Sequence, residues 1–240
     1  MIPILMYHQV GQPAPRGSPY RGLTVHPDDF RRQMAWMRRF GYRGLSMHDL
    51  APYLSGEATG KVFGITFDDG YRNVYQYALP VLSALGFSAT NYFVVNQVDG
   101  ANVWDRDKGI PSSSLMSKSE MQEWIAAGNE AGSHTLDHVH LPDISPELAE
   151  YQILQSRLEL ERLLGVEVSA FCYPYGDTSP AVREMVQRAG YTNATTTERG
   201  LARRDDDAYA IPRVTISRST NLLRFLQKCL TRLEDKRRRG

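Results

Sequence analysis

Val62-Phe63-Gly64-Ile65-Thr66-Phe67-Asp68-Asp69-Gly70 is the stretch on which the reading of this chain turns: an apolar β-type run that ends in two adjacent carboxylates and a glycine. Two carboxylates side by side can supply one metal ligand and one free base. A second stretch, His134-Thr135-Leu136-Asp137-His138, offers two neutral nitrogen donors four residues apart. Together they make three ligands plus a base, with coordination left open for water, which is what a catalytic divalent ion requires and a structural ion lacks. Each has a bland reading when taken alone. Asp-Asp-Gly after a strand is commonly a turn, and a His-x-x-x-His pair can belong to a surface or a core.

Working outward, short β-branched or aromatic runs alternate with helical patterns. Ile2 to Tyr7 reads as a buried strand, followed by a Gly- and Pro-rich loop from Gly11 to Gly22. Phe30, Met34 and Met37 recur at helical spacing behind Pro27, and Gly41 stops the pattern, so 27–40 is a helix. Val62 to Phe67 is a strand, Val74 to Leu85 a helix kinked by Pro80, and Ser88 to Val95 a strand. A long loop, Asn96 to Leu115, has the length of a site rim. Ser117 and Glu120 form a capping box that opens a helix to about Ala127. Glu130 to Ser133 is a strand, Pro146 to Leu164 a long helix, and Val168 to Tyr173 a strand. A helix follows from Ser179-Pro180 to near Gly190; strands Asn193 to Thr197 and Ala210 to Ile216 and a helix from about Thr220 to Leu233 complete the series.

Strands separated by helices imply parallel β/α units, and about seven in 240 residues imply a barrel. The chemistry-bearing residues then fall where such barrels put them, at the carboxyl ends of strands: His8 after the first, Asp68 and Asp69 after the Val62–Phe67 run, His134 and Tyr175 after two others. His140 competes with His138 as the second nitrogen donor. His134 with His138 is preferred, because one turn of separation aims both nitrogens at one point whereas an i, i+2 pair needs extended backbone. His26 and His48, near helix starts, read as structural. A third constellation, Phe171-Cys172-Tyr173-Pro174-Tyr175-Gly176, can turn a backbone N–H and an aromatic wall toward a ligand; taken alone it reads as an ordinary turn.

Composition bounds the partners. At 42% hydrophobic and 10% aromatic the chain can bury a substantial core. A net charge of +1 gives no global field for nucleic acid. The exception is Lys236-Arg237-Arg238-Arg239, so the expected organisation is one domain over 1–235 with a basic, solvated tail over 236–240. Cys172 and Cys229 give no disulfide framework and fit a reducing compartment. No apolar stretch is long enough to span a membrane, and the opening residues do not read as a signal peptide. If Met1 is the natural start, the expected location is cytoplasmic.

The motifs resemble those of the polysaccharide deacetylases of carbohydrate esterase family 4, whose shared region is the NodB homology domain. Thr66 to Gly70 matches the first motif of that family, and His134 to His138 with Leu141 matches its second. The resemblance runs from about Ile2 to Ile216 and implies a distorted (β/α) barrel with fewer than eight regular units. It further implies that Asp68 is the general base and that Asp69, His134 and His138 hold one divalent ion, usually zinc, with cobalt or nickel able to serve. The chain departs from the common pattern, since no histidine follows His140 to act as the C-terminal general acid and the third motif lacks its arginine. Phe171 to Gly176 looks instead like the circularly permuted branch that includes poly-N-acetylglucosamine deacetylases. There an N-terminal strand ending in Tyr-His supplies the acid; Leu5-Met6-Tyr7-His8 fits, and Arg213 in Ile211-Pro212-Arg213-Val214 is the candidate replacement arginine.

The resemblance implies metal-assisted removal of N-acetyl groups from a hexosamine-containing glycan or its precursor. Asp68 would activate water, the Tyr175 N–H would help hold the oxyanion, and His8, across the metal from Asp68, would protonate the leaving amine, giving a bell-shaped pH profile. An N-acetylated saccharide is the expected partner, with Trp104 and Tyr175 suited to sugar faces. Hydrolysis of a small cyclic or linear amide is one alternative and glycan binding without catalysis another; a binder has no need of the spare Asp68 carboxylate.

Overall fold

In the computed structural model, which describes residues 1–238, the elements follow in this order. The chain enters through β1 (Ile4–Tyr7), then β2 (Gln9–Val10) and β3 (Thr24–Val25), which pair with each other, and continues through α1 (Pro27–Arg39), β4 (Arg43–Leu45) and α2 (Met47–Ser55). Next come β5 (Val62–Phe67), α3 (Arg72–Tyr77), α4 (Leu79–Leu85), β6 (Thr90–Phe93), α5 (Lys118–Ala126) and β7 (Glu130–Ser133). The chain finishes with α6 (Pro146–Leu164), β8 (Ala170–Cys172), α7 (Pro180–Arg188), β9 (Asn193–Arg199), β10 (Ile211–Thr215) and α8 (Leu222–Leu230).

Strands run in the order β1-β10-β9-β8-β7-β6-β5, and β5 pairs again with β1, so seven parallel strands close into a barrel. The eighth, β4, adds only to the first half of β5, from Arg43↔Val62 to Leu45↔Gly64. This is the distorted (β/α) barrel expected from the sequence. Its side chains obey the period of two along each strand. Ile4, Val62, Tyr92, Ala170, Cys172 and Ile211 form an inner apolar cluster. Their neighbours Leu5, Phe63, Phe67, Phe171 and Tyr173 join the larger core under the helices. The interior is narrow enough that a Cβ on Gly132 would stand 2.4 Å from the Tyr92 ring. Only glycine there lets the tyrosine lie in the barrel.

One sequence expectation is revised and one unassigned stretch is filled. Val74 to Leu85 is not one kinked helix but two, α3 and α4, broken at Ala78. Pro80 lacks the N–H that would bond the Gln76 carbonyl, and its ring would clash there, so the chain restarts with Pro80 in the first turn of α4. Residues 42–61, unassigned from sequence, form β4 and α2. By contrast α6 has the expected bounds, set by the Ser145 cap, Pro146 in the first turn and left-handed Gly165 at the end. Of the basic run, Arg238 pairs with Asp206 on the body of the protein, while Arg239 and Gly240 lie outside the described residues. Among the described residues no helix is long and apolar enough to cross a membrane.

Candidate metal centre and active site

The register of the barrel assembles the centre. Tyr7 is opposite Phe67 in the β1–β5 ladder, so His8 and Asp68, the next residues, leave adjacent strands side by side. The Asp68 N–H donates to the Tyr7 carbonyl at 3.0 Å, and His8 Nε2 lies 3.9 Å from Asp68 Oδ2. His8 therefore stands beside Asp68, not opposite it as the sequence led us to expect, because parallel neighbours in register bring their ends together. Its ring lines the cleft and does not enter the core.

After Asp68 the chain turns sharply. Asp69 has φ 75° and Gly70 φ 76°, and a Cβ on Gly70 would stand 2.7 Å from the Phe93 ring. The turn swings the Asp69 carboxylate toward the His134–His138 segment, with Oδ1 3.4 Å from His134 Nε2 and 3.3 Å from His138 Nε2. That segment is not a helical turn. Thr135 and His138 both adopt left-handed backbone, with φ 68° and 58°, and the His138 N–H donates to Thr135 Oγ1 at 2.9 Å. The two imidazoles converge through this compact loop, so the structure brings together the pair preferred from sequence, by a geometry other than a helical turn. Three of the six non-glycine residues with positive φ hold or flank the donor set, and a fourth is Tyr175. Each such residue costs about 1–3 kcal/mol that the surrounding packing must offset.

Asp69, His134 and His138 fit a divalent cation. Ligands placed about 2.0–2.2 Å from a tetrahedral ion stand roughly 3.4 Å apart, close to the spacing of the Asp69 oxygen from each ring nitrogen. His134 Nδ1 is 2.7 Å from the Cys172 carbonyl, which can only accept, so that nitrogen carries the proton. Nε2 is thereby left as the ring atom that faces Asp69 and would serve a bound cation. Burial works against charge on both rings. At His134 the Cys172 sulfur and Asp69 outweigh it and hold the imidazole well above its ordinary value, whereas at His138 burial prevails and holds it below. Burial also disfavours the Asp69 carboxylate, but hydrogen bonds from the two histidines bring it well below its usual range. The space between the three groups thus favours positive charge.

Asp68 is kept ionised by a different device. Arg213, fully buried, forks onto it, with Nη1 2.7 Å from Oδ1 and Nη2 2.8 Å from Oδ2. The guanidinium is itself fixed, donating from Nε to the Thr196 carbonyl at 2.8 Å and from Nη1 to Thr66 Oγ1 at 2.9 Å. Burial alone would raise the Asp68 carboxyl; the Arg213 charge and hydrogen bonds outweigh it, His8 adds to them, and the net shift is downward.

His140 is excluded from the donor set. It is exposed, pairs through Nδ1 with Asp177 Oδ2 at 2.6 Å, and stacks on Tyr175 with ring centroids 3.7 Å apart. Tyr175 presents its ring edge to His138 at 4.5 Å, and its backbone N–H, on a residue with φ 60°, meets no protein acceptor among the described residues. Trp104 stacks on His138 at 4.7 Å. These rings line a cleft of about 330 Å³ that also exposes His8, Asp68, Asp69 and His134.

Sequence reasoning missed the residues that hold the ligands in place. Gln152 of α6 accepts from the Leu136 and Asp137 N–H groups, both at 3.1 Å, and donates to Asp137 Oδ2 at 2.6 Å. Asn96 donates to the other Asp137 oxygen at 2.7 Å. Thr66 relays Arg213 to the Leu5 carbonyl. Asp137 lay inside a quoted motif; a lone helical glutamine carries no such signal.

The arrangement can hold one divalent cation, keep an ionised base beside it and offer an imidazole on the same rim, which is the equipment of a metal-assisted hydrolase. The polysaccharide deacetylase family model matches residues 55–194, and the chain belongs to that family. It is 29% identical to YxkH of Bacillus subtilis over 218 residues, 90% of this chain and 71% of that one. It is 25% identical to the poly-β-1,6-N-acetyl-D-glucosamine N-deacetylase of Staphylococcus epidermidis over 207 residues, 82% of this chain and 69% of that one. Among solved structures it is similar to the Streptococcus pyogenes deacetylase PplD in complex with acetate, with TM-score 0.83, 26% identity and coverage of 95% and 97% of the two chains. IcaB from Ammonifex degensii superposes with TM-score 0.79 at 25% identity, covering 91% and 93%.

Proposed function

We propose that this protein is a metal-dependent N-deacetylase that releases acetate from N-acetylhexosamine units of a glycan or a glycan precursor. The observation that carries the reading is the Asp69–His134–His138 triangle, with its 3.3–3.4 Å spacings from Asp69 to the two rings, beside a carboxylate that Arg213 forks. The relatives named as poly-N-acetylglucosamine deacetylases support the substrate class. A divalent ion held by Asp69, His134 and His138, zinc or else cobalt or nickel, would supply Lewis acidity toward an acyl carbonyl and toward water.

The remaining steps belong to the chain itself. Asp68, ionised by Arg213, accepts the proton of the attacking water. The unpartnered N–H of Tyr175 is available to the developing oxyanion. His8, 3.9 Å from Asp68, returns a proton to the departing amine. Trp104 and Tyr175 supply faces against which a pyranose ring packs. The test is acetate release by metal-loaded protein from N-acetylglucosamine oligomers, alongside small cyclic and linear amides, with Asp68→Asn as control. The reading expects turnover on the sugars and a loss of about 10²-fold or more in the variant with metal retained. Turnover confined to the small amides, or no effect of Asp68→Asn, overturns it.

A further inference from the structure

The metal centre occupies the carboxyl ends of the strands. Arg43, which opens β4, and Lys61, just before β5, mark the opposite end of the barrel, about 20 Å away along the length of β5. There Arg38, Tyr42, Arg43, Tyr53 and Lys61 line a shallow hollow of about 410 Å³, and no carboxylate lines it. The Arg43 guanidinium donates to Tyr53 Oη at 2.5 Å. Lys61 Nζ donates to the Phe40 carbonyl at 3.3 Å and stands 5.8 Å from the centre of the Tyr42 ring. Beside the hollow, Arg39 lies over the Trp36 ring at 5.4 Å, and that ring packs on Phe40 with centroids 5.5 Å apart. Phe40 is 39% exposed.

Arg39, Arg43 and Lys61 are thus oriented by an indole, a phenol and a carbonyl, groups that leave a cation's charge unmatched. Among the described residues neither they nor the exposed Arg38 meets a carboxylate, whereas Arg31 and Arg32, earlier in α1, pair with Asp28 and Asp29. Arg38 and Arg39 have an ordinary role at the carboxyl end of α1, where the helix dipole favours cations. That role does not extend to Arg43 and Lys61, on a strand and a loop, nor to an exposed phenylalanine between them. Cations spread around a shallow hollow match a surface carrying many phosphates. Indole and phenyl rings beside them are the groups that settle where lipid headgroups meet acyl chains. A soluble polyanion would engage the cations and leave Phe40 unused, and a second copy docking through the same face would bring like charges together.

We propose that this face docks on an anionic phospholipid surface, with Arg38, Arg39, Arg43 and Lys61 against the lipid phosphates and Trp36 and Phe40 at the acyl boundary. The cleft, at the other end of the barrel, then opens away from the membrane. The proposal goes beyond the deacetylase reading and does not depend on it.

Vesicle flotation of the full, metal-loaded chain is the test. The protein should float with vesicles of phosphatidylcholine mixed with phosphatidylglycerol, stay behind with phosphatidylcholine alone, and be released as salt is raised. Arg38→Gln/Arg43→Gln/Lys61→Gln should lower the partition coefficient by about 10²-fold, or about fivefold per charge, with metal content unchanged as the sign of an intact fold. Arg38→Lys/Arg43→Lys, which keeps the charge, should bind like wild type, and so should Arg162→Gln, which removes a paired cation of α6. Trp36 reports which face docks: brominated phosphatidylcholine in the anionic vesicles should quench part of the fluorescence, and Trp36→Phe should abolish that quenching. No flotation, equal flotation with and without phosphatidylglycerol, binding that the triple variant leaves unaltered, or quenching that survives Trp36→Phe overturns the proposal. So does binding of dextran sulfate in place of vesicles, which would make the partner a soluble polyanion. Self-association in place of vesicle binding, abolished in the triple variant, would make the partner a second copy and likewise overturn it.

Discussion

Replacing Arg213 by methionine isolates the contact on which the candidate base depends. Wild-type Arg213 is fully buried and Asp68 is 3% exposed, so neither is screened by water. Methionine approximates the length of the arginine stem and refills much of the volume, so the main consequence is an unpaired buried carboxylate. Breaking a pair of this kind by removing one partner costs about 3–5 kcal/mol, a large share of the roughly 5–15 kcal/mol that stabilises a typical domain. The pH dependence follows from the downward shift of Asp68. Stabilisation from the pair is fully present above the unfolded carboxyl value, roughly 3.9, and is lost as pH falls through the lower folded value. In Arg213→Met burial, the largest influence, is opposed only by the weaker pull of His8 and His134, so the carboxyl moves upward and acid relieves the penalty. The stability gap between the two proteins should therefore be widest near neutrality and close on acidification. Urea unfolding of both proteins in chelator, so that metal binding does not contribute, measures the gap at each pH. Asp68→Asn/Arg213→Met, with both charges gone, should recover most of the loss. A gap under about 1 kcal/mol at neutral pH, or one that does not narrow in acid, refutes the reasoning.

Other consequences are open to direct measurement. Metal-depleted protein should bind one zinc ion per chain, and His134→Ala, His138→Ala or Asp69→Ala should each abolish tight binding while His140→Ala retains it; metal analysis after dialysis that shows His140 to be required would reverse the assignment. His8→Ala should lower turnover by about 10²–10⁴-fold with metal content intact, and unchanged kinetics would remove His8 from the mechanism. Gln152→Leu should strand the Leu136 and Asp137 N–H groups, costing about 1–3 kcal/mol of stability and weakening metal affinity by about 10–100-fold in a competition titration; unaltered affinity would make Gln152 purely structural.

The donor set was legible in sequence because its chemistry is local: two carboxylates at a strand end and two histidines within five residues. So were elements whose boundaries are written in side chains, such as α6 with its Ser145 cap and Gly165 stop. What escaped is what depends on other strands. β4 is three residues long and too short to show alternation, and α2 carries Pro52 within it. The placement of His8 beside Asp68 comes from the β1–β5 register, which no local pattern encodes. The convergence of His134 and His138 was expected from helical spacing, but left-handed Thr135 and His138 achieve it, stabilised by a glutamine on a helix that sequence shows only as amphipathic. Arg213 was singled out only as a candidate replacement for the arginine that the third motif lacks; that its guanidinium would be held by Thr66 and Thr196 followed only from the closed barrel.

That closure has a consequence for how the protein comes into being. The last strand, β10, lies between β9 and the first, β1, and the bond from Arg213 to Asp68 spans 145 residues of sequence. As the chain emerges from the ribosome, β1 and β5 can pair early, yet the carboxylate at the end of β5 has no counter-charge until β10 arrives. Until then the growing barrel exposes two unsatisfied strand edges, at β1 and at the newest strand made, and carries an uncompensated acid in its interior. Contacts of such long range are slow to form and leave partial chains prone to association. A nascent chain stalled before Arg213 should therefore be a substrate for chaperones, and the arrival of a single arginine, on the last strand of the barrel, completes both the barrel and the surroundings of its candidate base.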